Sequence, residues 1–230
     1  FTSTSYGEGN PYLQPEYNTN LDLSHTFRNA LTSSLFFSIT DNGFNNATIA
    51  NTDTSLVYTI PLNFIKTYRY GISESFSLRR FRWLENNVLV SAYHTDAYSS
   101  IPQFQDIHGY GLYISMNNTF YLDREKNFAG VLNGWYQFPE VDHIGRSLPY
   151  YKVDFGLSAS ILKKTMTINL LLNDVFRSSA LAFTSAVNGI PQQFTNFQIN
   201  RWVQLTMSYK FGGKGTTERS SSNMDERNRI

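Results

Sequence analysis

GNPYLQPEYNTNLDLSHTF, residues 9–27, carries the pattern on which the fold turns. Two prolines break up its first half. From Tyr17 the chain alternates, with Tyr17, Thr19, Leu21, Leu23 and Phe27 on one parity and Asn18, Asn20, Asp22 and Ser24 on the other. Period two is the strand period, so each parity is one face of a strand. One face is apolar and the other is a full row of polar side chains.

The same pattern returns along the chain in segments of about ten residues, the length of a tilted membrane-crossing strand. Leu31, Leu35, Phe37 and Ile39 oppose Thr32, Ser34, Ser38 and Thr40. Tyr68, Tyr70, Ile72, Phe76 and Leu78 oppose Arg69, Gly71, Ser73, Ser75 and Ser77. Val88 and Val90 oppose Asn87 and Ser91, and Tyr110, Leu112, Ile114 and Met116 oppose Gly111, Ser115 and Asn117. Further segments start near Phe128, Tyr151, Met166 and Val203, giving about nine long strands. Glu74 breaks the rule, standing on an apolar parity.

The connections alternate as well. Short polar links lie at 28–30, 79–82, 123–127 and 162–164, and long ones at 41–64, 95–107, 139–149 and 174–198. Asn188-Gly189 reads as a tight hairpin turn within the last of these. Strands running up and down with every long loop at one end predict an all-β, antiparallel, up-and-down transmembrane β-barrel. In that setting the apolar row meets lipid and the polar row faces the lumen. Aromatics at strand ends, namely Phe27, Phe81, Phe120, Phe128, Tyr209 and Phe211, are expected at the membrane interface. The competing arrangement is a soluble β-sandwich binding module, in which the apolar row would be covered by a second sheet.

Composition agrees with the membrane reading. Aromatic residues make up 16% and charged residues only 16%, against roughly 25% charged in soluble domains. Cysteine is absent, which excludes disulfides and thiolate chemistry. The net charge is +1, with no basic stripe of the kind nucleic acid demands. The first residue is Phe1, with no Met and no signal peptide, so the chain is expected to be the C-terminal part of a longer protein, the alternative being a processed precursor. Residues 1–211 are expected to form a partial barrel and 212–230, polar and rich in Gly, Ser and Arg, a disordered tail.

Three stretches carry a family resemblance. Gly9-Asn10-Pro11-Tyr12-Leu13-Gln14-Pro15-Glu16 resembles the stretch that opens a late barrel strand in TonB-dependent outer-membrane receptors. Asn173-Asp174-Val175-Phe176 looks like the end of another late strand, and Arg201 to Gly212, with Phe211, resembles the last one. The tail from Asp225 to Ile230 is similar to that of Bacteroidetes-type members, the outer-membrane protein beta-barrel family. In two places the chain departs from the pattern. Thr206 stands where the last strand's assembly signal has glycine, and Phe211 is followed by polar residues.

The resemblance implies a 22-stranded barrel in the bacterial outer membrane, with long loops extracellular and the tail periplasmic. It implies a plug and further strands from the same protein, TonB acting through the plug, and import of a bulky, scarce solute. A surface lipoprotein is a further partner it suggests. A non-transporting scaffold or surface-binding barrel is the alternative.

No enzymatic activity, cofactor or metal is expected. His25, His94, His108 and His143 are scattered; His94 and His108 flank one loop, but two histidines do not make a metal site. Ser160-Ile161-Leu162-Lys163 matches S-x-x-K by letter at a strand-to-turn junction, without its companion motifs. Gly109-Tyr110-Gly111 lies in a strand and has no helix behind it, so it is no phosphate loop. Asp22, Glu85, Asn117, Lys152, Asp154 and Asn169 have lumenal parity and are the candidates to line a solute path.

Overall fold

The computed structural model describes residues 5–51, 56–79, 81–187, 190–196 and 200–211, and no helix occurs among them. A short β1 (Ser5–Gly7) precedes β2 (Tyr17–Phe27). The longest strands follow, β3 (Leu31–Asn51) and β4 (Leu56–Leu78). Then come β5 (Leu84–Ser99), β6 (Ile107–Tyr121) and β7 (Phe128–Gln137). Two small strands, β8 (Glu140–Asp142) and β9 (Gly145–Ser147), lead to β10 (Tyr150–Ile161) and β11 (Met166–Asn173). The hairpin β12 (Leu181–Val187) and β13 (Ile190–Asn196) precedes the last strand, β14 (Trp202–Tyr209).

Nine strands form one wall in the order β14-β11-β10-β7-β6-β5-β4-β3-β2. Every neighbouring pair along it is antiparallel. The wall is open: β2 and β14 are its edges, and every residue of both strands is exposed. One pairing is parallel. β4 outruns β5, so its stretch Val57–Thr59 has a free edge, and β1 fills it.

The short turns sit where sequence places them. Arg28 and Asn29 take left-handed backbone angles, and the Ala30 N–H closes that turn on the Phe27 carbonyl at 3.0 Å. Leu162, Lys163 and Lys164 are left-handed in the same way, closed by the Thr165 N–H on the Leu162 carbonyl. The long connections differ from expectation. Most of 41–64 is strand, because β3 and β4 continue as a paired hairpin well beyond the other strands. Its register slips between Thr40 and Gly43 and slips back between Gly43 and Phe44, so the original pairing resumes beyond the bulge. That irregularity, together with Asn42, Gly43, Asn45, Asn46 and Pro61, gives the segment a loop composition. Likewise 95–107 shortens to a loop at 100–106. The connections 139–149 and 174–198 contribute β8–β9 and β12–β13, which join in a second sheet of order β13-β12-β9-β8. Val187 pairs with Ile190, and the expected turn residues Asn188 and Gly189 lie outside the described residues, as does 212–230.

Register fixes the two faces of the wall. Leu23, Leu35, Ile72, Ala92 and Leu112 form one row across five strands, on the outer face. No second sheet covers that face among the described residues: Leu21 is 70% and Leu205 67% exposed. A soluble sandwich would bury this row, so the sandwich arrangement does not hold. Aromatics ring both ends of the outer face. At the turn end stand Phe27, Phe81, Trp83, Phe128, Tyr209 and Phe211, all exposed. At the loop end Tyr70, His94 and Tyr110 pack in sequence across three strands, with centroids 5.5 and 4.6 Å apart. From Tyr110 to Phe120 on β6 is about ten residues, or about 33 Å of strand, which at a tilt of about 40° spans about 25 Å, the height of a membrane barrel's apolar band. Glu74 lies in this outer face and accepts a hydrogen bond from the Ser33 hydroxyl at 2.7 Å.

Buried apolar residues gather at the loop end. Ala47, Phe64, Ile65, Phe104 and Ile144 form the core cluster, with Leu62 and Ile101 against it. It joins the β3–β4 overhang, the loop 100–106 and the β8–β9 turn.

Candidate functional site: the inner face and the loop folded onto it

The inner face carries Asp22, Phe36, Gly71, Tyr93 and Gly111 in one row, and Ser38, Arg69, Thr95 and Gly109 in the next. Glycines on either side of Tyr93 let its side chain lie flat across the wall. A Cβ on Gly111 would sit 2.3 Å from the Tyr93 ring, and one on Gly71 would meet the Tyr93 Cβ at 2.6 Å. Phe36 packs against the same ring, at 6.4 Å between centroids.

This flattened tyrosine is the seat for the β8 strand. The Tyr93 hydroxyl donates to the Glu140 carboxylate at 2.6 Å and accepts from the Gln137 amide at 2.9 Å. The Arg69 guanidinium lies 4.9 Å over the Tyr93 ring, a cation–π geometry. Arg69 also donates to Thr95 Oγ1 at 3.0 Å, to the Val141 carbonyl at 3.2 Å and to Glu140 at 3.4 Å. Val141 and Thr95 are fully buried beneath it. One cation, one anion, a phenol and an amide thus hold loop 138–149 against the barrel wall. Arg146, donating to the His108 carbonyl at 2.9 Å, ties the following strand to the rim of β6.

Cavities flank this latch. One of about 220 Å³ is lined by Glu16, Ser38, Thr40, Arg69, Asp142 and His143. A second of about 360 Å³ lies on the other side of Arg69, bounded by Phe36, Ser73, Ser91, Tyr93 and Glu140. A third of about 410 Å³ opens between Trp135, Tyr150, Lys152, Asn173 and Asn200. At the lip of the first, His143 Nδ1 meets the Asp142 carboxylate at 2.7 Å. The hydrogen bond to Asp142 raises the His143 pKa above its ordinary 6.5, and the same bond lowers the Asp142 carboxyl below 3.8.

The residues expected to line a solute path are spread over the inner face and do not converge. Asp22 faces Phe36 at the exposed β2 edge. Glu85 is paired with Lys126 of a short turn at 3.0 Å. Asn117 stands between Asn87 and Asn133 in a row of three amides. Asn169 lies between Ser158 and Thr206. Lys152 and Asp154 do come together, at 3.0 Å, and Asp154 also accepts the Asp174 N–H at 2.8 Å.

The motif residues have structural posts. Gly9, Asn10, Pro11, Pro15 and Glu16 belong to a strap that crosses the β3–β4 overhang between β1 and β2. The Asn10 side chain accepts the Tyr12 N–H at 2.9 Å and donates to the Pro61 carbonyl at 3.0 Å. Asn63 clamps the strap from below, accepting the Gln14 N–H at 2.7 Å, and Asn42 donates to the Pro15 carbonyl at 2.9 Å. Asn173 is buried and donates to the Asn200 carbonyl, closing the insert that holds β12–β13. Burial alone would raise the Asp174 carboxyl, but hydrogen bonds from Ser179 and Ser178 outweigh it and hold it low. Phe176 and Phe211 are exposed.

Arg69, Tyr93, Gln137 and Glu140 were not among the sequence candidates. Their signal is the pair Gly71 and Gly111, which points to Tyr93 only once the strand register is known. His94 and His108 do not meet. His94 faces Tyr110 and bonds Asp96 at 3.1 Å, while His108 pairs with Asp96 across the ladder. No group of three metal-ligating side chains occurs among the described residues. Ser160 is the penultimate residue of β10, its hydroxyl 3.4 Å from Thr167, and Lys163 lies in the turn beyond.

The family model described as the outer membrane protein beta-barrel family matches residues 1–209. No curated protein and no solved structure gives a significant match. The chain belongs to the outer membrane protein beta-barrel family and is an outer-membrane β-barrel protein.

Proposed function

We propose that this chain is one wall of a larger TonB-dependent receptor barrel that imports a bulky, scarce solute across the outer membrane. The observation that carries the reading is the wall with two unlike faces and two bare edges. Nine strands present lipid-type residues outward and amides, hydroxyls and charges inward. Unpaired edge groups cost several kcal/mol each in lipid, so further strands are required to complete the ring. A ring much wider than nine strands encloses a lumen with room for a plug from the same protein. The strap at Gly9–Glu16, the Asn173–Phe176 stretch and the last strand resemble the receptor family at three points in order. In this reading the long-loop end is extracellular, the short turns are periplasmic, and the loop latched on Tyr93 narrows the solute path. A surface lipoprotein would seat on the loop end.

The alternative is a barrel that anchors or binds at the surface without transport. Uptake by cells carrying the full-length protein decides between them. Transport that stops when TonB is deleted supports the receptor. Surface binding of solute with no TonB-dependent accumulation overturns it in favour of the scaffold.

A further inference from the structure

The charges of this chain are sorted by end. Of the fifteen lysines and arginines in residues 1–211, nine fall in or beside the four short turns or at the end of β14. Among the described residues only three acids share that end, and each is already engaged. Glu85 pairs with Lys126 at 3.0 Å. Asp123 accepts the Phe128 N–H at 2.7 Å, a bond that holds its carboxyl low. Glu125 accepts from the Asn127 amide at 3.0 Å. Arg28, Arg79, Arg82, Arg124, Lys163 and Lys210 are exposed and form no ion pair among the described residues. At the loop end the balance tips the other way: the remaining six cations meet more acids, among them Glu8, Glu16, Asp41, Asp106, Glu140 and Asp142.

These cations stand at a definite depth. The turn-end aromatics mark the membrane interface, and the cations begin where those aromatics end. The Arg28 guanidinium lies 5.0 Å over the Phe27 ring. An aromatic ring at head-group level with a free cation on its water side is suited to an anionic lipid phosphate. All four turns carry at least one such cation, so the feature is a rim and not a single pocket.

We propose that the short-turn rim of the wall binds anionic phospholipid head groups of the adjacent leaflet. The proposal rests on the outer-membrane barrel reading. It assigns the turn cations to a lipid surface, whose phosphates lie at the height of the ring of aromatics. A rim of this kind fixes the vertical position and tilt of the wall by charge as well as by apolar matching.

The test uses the full-length protein reconstituted in phosphatidylethanolamine–phosphatidylcholine vesicles with trace spin-labelled phosphatidylglycerol or phosphatidylcholine. The readout is the fraction of each label immobilised at the protein surface. The expected result is about fivefold preference for phosphatidylglycerol at low salt, falling towards parity at about 1 M salt. The triple variant Arg82→Gln, Arg124→Gln, Lys163→Gln should lose most of that preference. The loop-end triple Lys66→Gln, Arg177→Gln, Arg201→Gln should keep it. Equal immobilisation of both labels by the wild type overturns the proposal. So does an equal loss in the two triples. If the wild type shows no lipid preference but retains an acidic protein that the turn triple releases, the rim docks protein and the lipid assignment falls. Failure of the wild type to enter the vesicles at all is a separate result, which overturns the barrel reading itself.

Discussion

Strand β4 passes through two different solvents, and its two halves obey opposite rules. From Leu62 to Ile65 it contributes to a water-type core, where Phe64 and Ile65 are each 3% exposed. From Tyr70 to Phe76 the same strand turns Tyr70, Ile72 and Phe76 outward, with no second layer over them among the described residues. In the first half apolar burial against other side chains supplies the stability. In the second, lipid replaces the missing partners, and the ladder hydrogen bonds and inner polar pairs hold the wall. A residue's contribution on this strand therefore depends on height along the barrel axis more than on its type.

The largest expected effect lies in the water-type half. Phe64 stacks on Phe104 with centroids 5.0 Å apart, so Phe64→Ala should cost the loop assembly about 3–5 kcal/mol. Limited proteolysis of the full-length protein should then cut the loop end while the wall keeps its heat-modifiable migration in gels. If the wall unfolds as well, the two halves are one cooperative unit and the contrast fails.

In the lipid half, Ile72→Arg should cost about 2–4 kcal/mol, because it places a charge in the apolar band. Ser75→Arg, three residues along and on the inner face, should cost less than about 1 kcal/mol in the same refolding titration. Equal costs would mean that both faces see water.

The latch gives a smaller effect. Gly111→Ala places a methyl where the Tyr93 ring lies, so the ring must leave the wall, at a cost of about 1–3 kcal/mol. The sharper readout is loss of protection of loop 138–149 in hydrogen exchange, with the outer face unchanged.

The mildest effect is a pH response at the lip of the first cavity. His143 has its pKa raised by Asp142, so its contribution is complete below its ordinary 6.5 and fades as pH rises through the raised value. Asp142 is lowered by His143, so its contribution fades only when pH falls below its ordinary 3.8. Proteolysis at Asp142–Gly145 should increase between neutral and mildly alkaline pH, and His143→Gln should remove that dependence.

Much of this was legible in the alternation. The two faces, the four short turns and the outer position of rows such as Leu23, Leu35 and Ile72 follow from period two alone. The overhang was not, because a bulge at Asn42–Gly43 and a run of asparagines have the composition of a loop, while cross-strand pairing makes them strand. The loop-end aromatic ring also escaped, since Tyr70, His94 and Tyr110 meet only across three strands. The latch was hidden for the same reason: Arg69 and Glu140 are seventy-one positions apart and meet each other only where both reach the Tyr93 side chain. Asp22, Glu85, Asn117 and Asn169 had the right parity, but parity fixes a face and says nothing of convergence.

The second sheet has a consequence for the order of assembly. Most wall neighbours are consecutive strands, so most of the wall can grow one hairpin at a time with short loops to close. Two pairings must step over an insert: β7 with β10 over β8–β9, and β11 with β14 over β12–β13. The inserts then pair with each other through β9 and β12, from Phe183↔Ser147 to Ser185↔Gly145. That pairing brackets β10 and β11 in the chain, so the loop it closes is shortest once those two strands have paired. Loop closure favours it as a clasp fastened late, over a stretch of wall whose strands are already paired.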